Sequence, residues 1–375
     1  MCAVTNGGNL NGMDQRSRQQ VAAWLLLCCV MLFTLVVVGG ITRLTHSGLS
    51  IVEWQPIIGT LPPLSEQAWQ ETFRKYQQTP EYQKVNRGMS LEAFKGIFWW
   101  EYAHRLLGRT IGLFFLVPFL YFLLKSKLDR THAWQLGGIF LLGALQGALG
   151  WYMVKSGLVD NPRVSHYRLA AHLGLAILIY AAMLWVALGL LARRGAPPAG
   201  AARRLLRLSL VLTAIIFVMS LSGGLVAGIR AGLVYNTFPL MNGYWIPPQL
   251  LLLEPWYSNF FDNAATVQFD HRLLAWLLAA LAPWFWWRSR GVTLTPSARL
   301  ACDALPVVLI LQLALGIATL LLAVPVALGA AHQAGALLLL TIALVVNHEL
   351  RTAAVLSAPA QPSAAAADGE LTAQP

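Results

Sequence analysis

Long apolar runs alternate with short polar segments along the chain. Each run is about twenty residues long, the length that an α-helix needs to cross the hydrocarbon core of a bilayer. The first run follows Arg16 and Arg18, but its apolar core is too long for a signal peptide and lacks a clear cleavage site, so we expect it to be retained. The pattern predicts eight transmembrane helices, near residues 21–41, 103–124, 134–154, 169–192, 205–228, 270–287, 303–325 and 329–348.

Composition supports a membrane protein. Hydrophobic residues make up 57% of the chain and charged residues only 11%, and the mean hydropathy is +0.58. Soluble domains carry about 25% charged residues. The predicted fold is therefore an all-α polytopic membrane protein, and ordinary soluble classes are excluded.

Basic residues indicate the orientation of the chain. They are concentrated in the segments between predicted helices 2 and 3, 4 and 5, and 6 and 7, which the positive-inside rule places in the cytoplasm. Both termini are then cytoplasmic, while residues 43–96 and 229–267 face outward. These loops account for the net charge of +11, so no nucleic-acid partner is predicted. The basic residues are Lys125, Lys127, Arg130, Arg193, Arg194, Arg203, Arg204, Arg207, Arg288, Arg290 and Arg299.

Three blocks recur in the same order in the two halves. The segment "GGITRLTHSGLSIVEWQPIIGTLPP" at 39–63 matches "GGLVAGIRAGLVYNTFPLMNGYWIPP" at 223–248. The motif "HRLL" recurs at 104 and 271, and "LQGALG" at 145–150 matches "LQLALG" at 311–316. The first four predicted helices are thus repeated by the last four. Because four is an even number, both halves enter the membrane from the same side, which predicts two four-helix bundles related by a pseudo-twofold axis along the membrane normal.

This duplication predicts five segments. The two bundles are joined by a basic linker, and a tail lies at each end of the chain. The predicted segments are a cytoplasmic tail at 1–20, a first bundle at 21–192, a cytoplasmic linker at 193–204, a second bundle at 205–348 and a disordered tail at 349–375.

Four of the eight histidines stand at matching positions of the two halves. They are His104 and His172 in the first half and His271 and His332 in the second. Each is predicted at the outer start of an even-numbered helix, so each bundle offers two imidazoles at similar depth. Paired imidazoles on two helices of a bundle suit a bis-histidine haem.

Alternatives to the haem ligands are weaker. A single histidine near a helix start is usually an interfacial polar residue, but the repeated pairs argue against that interpretation. Zinc or copper sites need three or four clustered ligands, whereas each half offers two. The other four histidines have no repeat partner and are expected to be solvated. They are His46, His132, His166 and His348.

Further polar residues adjoin these histidines. Arg105 and Arg272 follow His104 and His271 directly and are predicted either to pair with haem propionates or to reach the headgroups, and Arg109 could assist. Glu101 lies three residues before His104, where the second half has Gln268. A carboxylate near a helix start is favoured by the helix dipole, but the glutamine shows that this position does not require one. Glu101 is therefore a candidate catalytic residue.

Several quoted blocks resemble the haem A synthase family, in the branch shared by mitochondria and proteobacteria. They are the 39–63 segment extended by "LSEQAW", "EYAHRLLGR" at 101–109, "AAHLGLA", "FDHRLLAW" and "AAHQAGA". The resemblance implies oxidation of a ring methyl of haem O, through an alcohol, to the formyl group of haem A. It also implies that His104, His172 and Glu101 serve the substrate haem, and that His271 and His332 ligate a permanent haem b.

The mechanism and partners follow as expectations. With both axial positions of the substrate iron taken, attack by water on the oxidised macrocycle is favoured over oxygen activation at the iron, with Glu101 accepting a proton. The alternative is a di-haem b-type electron-transfer cytochrome, and a transporter is a third class. The expected location is the bacterial inner membrane, the expected partners are haem O synthase, an unidentified electron acceptor and the lipid bilayer, and a homo-oligomer stays open.

Overall fold

Helices make up the regular structure of the described chain. The computed structural model describes residues 12–53, 58–158, 164–192 and 200–352, and these ranges contain no β-strand. Most of both predicted tails and part of the predicted linker lie outside these residues. Eight helices in the described ranges have at least 26 residues. They are α1 (Gln15–Leu44), α2 (Leu91–Leu124), α3 (Arg130–Gly157), α4 (His166–Leu191), α5 (Gly200–Ile229), α6 (Ala264–Arg290), α7 (Pro296–Leu321) and α8 (Val326–Thr352).

Seven of these helices are long and apolar enough to cross a membrane. The prediction of a polytopic all-α membrane protein is confirmed at this level. Helix α6 does not meet the same criterion on the described chain. Its apolar stretch lies between Arg272 and Arg288 and is rich in tryptophan, which lowers its mean hydropathy.

Helix α2 begins much earlier than the sequence pattern predicted. Its N-cap is Ser90, whose side chain accepts from the amide of Ala93. The extra turns are amphipathic, and Phe94 and Phe98 are buried against the helix Glu66–Gln77 of the outer segment. The prediction that His104 stands at a helix start is therefore wrong, since it lies about three and a half turns inside α2. His172, His271 and His332 lie within the first two turns or so of α4, α6 and α8.

The long helices pack in two sets that follow the chain. Helix α1 packs against α2 and α4, and α3 against α4 and α2; in the second half α5 packs against α6 and α8, and α7 against α8 and α6. The two sets meet where α1 contacts α8, where α5 contacts α4, and where α4 contacts α8. A large apolar core of leucine, isoleucine and phenylalanine runs through both sets.

The ends of α1 and α5 meet. His46 follows α1 and Arg230 follows α5, and both adopt left-handed backbone conformations with φ of 55° and 57°. Arg230 Nη2 lies 3.2 Å from His46 Nδ1. Each residue stands seven positions after the first glycine of its repeat block, so matching positions of the two halves are in contact.

Candidate functional site

Each of the four repeated histidines lies on a glycine of a neighbouring helix. In all four places the Cε1 edge of the ring faces the glycine, and a Cβ added there would approach Cε1 to 3.4 Å or less. At Gly39, Gly150 and Gly316 this contact leaves little or no room for a methyl group, and at Gly223 it is an ordinary van der Waals contact, so each ring lies directly on the helix backbone. The distances from such a Cβ to Cε1 are 2.8 Å for Gly39 and His104, 3.0 Å for Gly150 and His172, 3.4 Å for Gly223 and His271, and 2.8 Å for Gly316 and His332.

These glycines belong to the repeat blocks. Gly39 and Gly223 open the "GG" blocks, and Gly150 and Gly316 close the two "LQ" blocks. The blocks were sufficient to predict the duplication, but the contact of their glycines with the histidines was not predicted. Their repetition at matching positions was the signal that could have identified them.

The rings are turned in a common manner. Nδ1 of His104, His172 and His332 is buried and makes no well-aligned hydrogen bond within the described residues, and Nδ1 of His271 lies 3.2 Å from Ser222 Oγ. Within the described residues, no hydrogen bond to Nε2 of these four histidines is found, and Nε2 is not buried without a partner in any of them. Nε2 is therefore the accessible nitrogen, and it is available to ligate a metal ion.

Two glutamines hold the backbone of a histidine in each half. The amide of Gln146 donates to the His172 carbonyl at 2.9 Å, and that of Gln312 donates to the His332 carbonyl at 2.8 Å. Both glutamines follow the first leucine of an "LQ" block, so the contact is repeated. Neither residue was predicted to have a role from the sequence.

The histidines form two pairs. His104 interacts electrostatically with His172, and His271 with His332. The described residues contain no group of three or more histidine, cysteine, aspartate or glutamate side chains arranged to hold a metal ion. A haem iron receives four nitrogens from its macrocycle and needs only two axial ligands, so paired imidazoles with accessible Nε2 atoms fit this group better than a bare metal ion.

Glu101 is buried and fully engaged. It is 2% exposed. One carboxylate oxygen accepts from Ser50 Oγ at 2.7 Å and from the Ile51 amide at 2.8 Å, and the other accepts from Arg105 Nε at 3.0 Å and Nη2 at 2.6 Å. The side chain ties α2 to the outer segment that follows α1. Since α2 begins at Leu91, stabilisation of a helix start does not explain this carboxylate.

Gln268 occupies the matching position in the second half, but it donates hydrogen bonds to its outer segment where Glu101 accepts them. It is also 2% exposed, and its amide donates to the carbonyls of Ala231 at 2.8 Å and Tyr235 at 3.3 Å. Its oxygen accepts from Arg272 at 3.4 Å. The outer segment therefore presents donors to Glu101 in the first half and acceptors to Gln268 in the second.

The three candidate arginines bind outer-segment carbonyls. Arg105 Nη2 donates to Ile51 at 2.9 Å, Arg109 Nη1 to Gly59 at 3.0 Å, and Arg272 Nη2 to Tyr235 at 3.0 Å. Each arginine thus anchors a loop over the histidine pair of its own half. Pairing with haem propionates stays a prediction.

The other four histidines agree only in part with the expectation of solvated side chains, since His46 is exposed but His348 is buried. His348 is 5% exposed and lies edge-on to Trp185, with 5.3 Å between ring centroids, so this expectation was wrong for it. His166 Nε2 lies 3.0 Å from Asp262, and His132 Nδ1 lies 2.8 Å from Asp129. The sequence showed His348 near a predicted helix end, but α8 continues past it to Thr352.

Glu81 is a buried acid that was not predicted from the sequence. It lies in the short outer helix Pro80–Lys84, is 5% exposed, and has one carboxylate oxygen without a partner. Burial, and then the charge of Glu101, raise the pKa of Glu81 to about 8. Both carboxylates also act on the buried Tyr76, whose pKa burial raises to about 12.

Replacing Glu81 with glutamine should stabilise the protein at neutral pH. Between the ordinary value of 4.5 and about 8 the folded state keeps a proton that the unfolded state releases, so stability falls as pH rises through this window. Glu81→Gln removes this cost, which reaches roughly 3 kcal/mol by pH 7. In thermal unfolding experiments between pH 5 and pH 8, the variant should unfold at a higher temperature than the wild type, and this difference should increase with pH.

The matched control is Glu66→Gln in the same outer segment, where the side chain is exposed. It should change the unfolding temperature little at any pH. A Glu81→Gln gain of equal size at pH 5 and pH 8 would contradict a protonated, buried Glu81.

Comparisons with known proteins agree on one family. The chain matches the family model COX15-CtaA, cytochrome oxidase assembly protein, over residues 22–344. It is 67% identical over 341 residues to the heme A synthase of Nitrosospira multiformis, covering 90% of this chain and 96% of that protein. It is 57% identical over 337 residues to the heme A synthase of Nitrosomonas eutropha, with 89% and 95% covered. The heme A synthase COX15 of Arabidopsis thaliana is 45% identical over 348 residues, with 90% and 76% covered.

Proposed function

The chain belongs to the haem A synthase family, and from this premise we propose that it is an integral membrane oxidoreductase that converts haem O to haem A. The reaction oxidises one ring methyl to a formyl group through an alcohol. The single observation that carries the proposal is the pair of accessible Nε2 atoms in each half, with every ring set on a repeated glycine. The di-haem electron-transfer alternative is not favoured, because the curated relatives quoted above are heme A synthases.

The two halves are assigned different haems. We place haem O between His104 and His172 and a permanent haem b between His271 and His332. This assignment is supported by the carboxylate of Glu101, which the second half replaces with Gln268. An electron-transfer centre needs no proton acceptor beside it, whereas oxidation of a methyl group by water releases protons.

The residues of the first half have distinct roles in the proposed reaction. Oxidation of the methyl group to the alcohol consumes one water and releases two protons and two electrons, and oxidation of the alcohol to the aldehyde releases two of each. Glu101 accepts a proton from the attacking water, because the Ser50 hydroxyl can turn away and leave an oxygen position open. Haem b, when bound, supplies a redox centre that carries electrons away from the substrate.

Arginines complete the proposed sites. Arg105 holds Glu101 in place and, with Arg109, keeps the outer segment over the substrate, while Arg272 does the same for haem b. We propose that propionates bind at these guanidinium groups, which suit bidentate contact with carboxylates.

A single experiment tests the reaction and its oxygen source. Membranes that contain the chain and a haem O synthase should yield haem A when incubated in water labelled with oxygen-18, and the label should be found in the haem A precursor alcohol. Pigment extracts resolved by chromatography and mass spectrometry give both results. Absence of haem A would refute the proposed function, whereas formation of an unlabelled alcohol would refute water as the oxygen source.

We propose that all eight long helices span the membrane as two bundles related by a pseudo-twofold axis. The contact between His46 and Arg230 supports this arrangement, because matching positions touch only close to the axis that relates them. Helix α6 is included because it matches α2 in the repeat and carries interfacial tryptophans near its end. The proposed location is the bacterial inner membrane, with haem O received from haem O synthase and electrons passed to an external acceptor.

Reporter fusions should confirm the orientation. A fusion at Gln77, in the helix after α1, should report the outer compartment, and one at Gly291, after α6, should report the cytoplasm. If α6 did not cross the membrane, Gln77 and Gly291 would lie on the same side. The same compartment for both fusions would therefore overturn the proposed topology.

A further inference from the structure

A basic cavity lies at the end of the second bundle that is far from the four repeated histidines. It has a volume of about 540 Å³ and lies between the start of α5 and the end of α6. Its lining is basic and aromatic at the rim and apolar at the wall, and none of the described lining residues is acidic. The residues that matter here are Arg204, Arg288, Arg290, Trp284, Trp287 and Leu208.

Two of the arginines have no protein partner in the described chain. Arg204 and Arg288 make neither a hydrogen bond nor an ion pair there, and both are exposed. Arg290 differs, because it lies 3.9 Å from Asp303 and packs over Trp286. Two unpaired guanidinium groups at one cavity favour an anionic ligand with several oxygen acceptors.

The position of the cavity indicates the class of ligand. Arg288 lies 17 residues after His271 on α6, which corresponds to about 25 Å along the helix. The cavity therefore lies near the opposite membrane surface from the haem sites. The exposed rings of Trp284 and Trp287 mark the interfacial depth, and basic pockets at this depth between helices recognise anionic lipid headgroups.

At the corresponding end of the first half, two cations make hydrogen bonds within the protein. There Lys127 Nζ donates to Gln20 at 2.8 Å, and Arg18 donates to the carbonyls of Leu190 at 3.0 Å and Ala192 at 3.1 Å. Arg18 and Lys127 are thus occupied by the protein itself, whereas Arg16 and Lys125 in the same region are exposed. In the second half, by contrast, two unpaired arginines lie together at the lining of one cavity.

We propose that this cavity binds an anionic phospholipid, with the phosphate held by Arg204 and Arg288 and the acyl chains lying along Trp284, Trp287 and Leu208. A phosphate alone would satisfy the arginines but would leave the aromatic and apolar wall without a partner. A zwitterionic lipid would place a second positive charge among the three arginines. The charge and the apolar wall together select an anionic lipid.

Native mass spectrometry of the purified full chain tests this site. Phosphatidylglycerol should remain bound to the wild-type protein, whereas the Arg204→Gln/Arg288→Gln variant should bind it at least tenfold more weakly. The matched control is Lys125→Gln/Arg130→Gln, which removes two cations from the corresponding side of the first bundle and should leave binding unchanged. The Arg204→Lys/Arg288→Lys variant keeps the charge and should retain most of the lipid binding. It serves as a control that substitution at these two positions does not itself unfold the protein.

Three results would overturn the proposal. Equal binding of phosphatidylcholine would show that the headgroup charge is not recognised, and competition by inorganic phosphate at the same concentration as the lipid would identify a simple anion site. Unchanged lipid binding by the glutamine variant would place the lipid elsewhere. Stronger binding after removal of residues 353–375, whose sequence contains acidic residues, would show that the tail is the occupant instead.

Discussion

Purified His271→Ala and His332→Ala variants are expected to lose the absorption of a permanent haem b. Each substitution removes a proposed axial nitrogen and the ring that lies on Gly223 or Gly316. A bis-histidine iron deprived of one ligand changes its spin state or is released. Reduced-minus-oxidised spectra of the purified proteins measure this loss directly, and haem extraction quantifies it.

The first half of the chain provides the control for this experiment. His104→Ala and His172→Ala should keep the haem b spectrum while abolishing haem A formation, because we assign their rings to the substrate haem. His348→Ala should keep both, since His348 is buried against Trp185 and has no repeat partner. A full haem b spectrum in either second-half variant would show that these two histidines do not ligate it.

Glu101→Gln is expected to reduce haem A formation by about a hundredfold or more and to accumulate haem O or its alcohol. General-base assistance typically contributes a factor of this size, and glutamine cannot accept a proton at neutral pH. His104, His172 and Arg105 remain, so haem should still bind. Chromatography of extracted pigments measures both the products and the bound haem.

The contacts of Glu101 require a second variant. Glutamine has one acceptor oxygen where the carboxylate serves Ser50, Ile51 and Arg105, so Glu101→Gln also weakens the tie to the outer segment. Ser50→Ala weakens this tie but leaves the carboxylate in place, and it should retain most haem A formation. If Ser50→Ala is as inactive as Glu101→Gln, or if either variant loses its haem altogether, Glu101 is a structural residue.

Sequence patterns located the helices well because burial in lipid demands long apolar runs. Seven predicted spans coincide with helices long and apolar enough to cross a membrane, with edges shifted by several residues. The start of α2 was missed because its first turns pack against an aromatic cluster outside the apolar run, and only tertiary contacts of Phe94 and Phe98 explain them. Hydropathy therefore indicated where α2 becomes apolar, not where it begins.

The candidate site was predicted in part. Repetition singled out the four histidines as candidates. The glycines that contact them were seen only as markers of the repeat, because residue spacing within one helix does not show which residues of another helix it contacts. The surroundings of Glu101 were also beyond the sequence, since Ser50 and Ile51 lie about fifty residues away along the chain. Glu81 was missed for the same reason, because its burial depends on how the outer helices fold over α2.

The opposite polarity around Glu101 and Gln268 constrains how the two halves could have diverged after duplication. A change of Gln268 to glutamate alone would set a carboxylate against the carbonyls of Ala231 and Tyr235, and the reverse change at Glu101 would set an amide against donors. Each unmatched buried group costs about 1–3 kcal/mol. Each side chain is therefore matched to its own outer segment, so a chimera that exchanges the residue with its segment should be tolerated better than either single exchange.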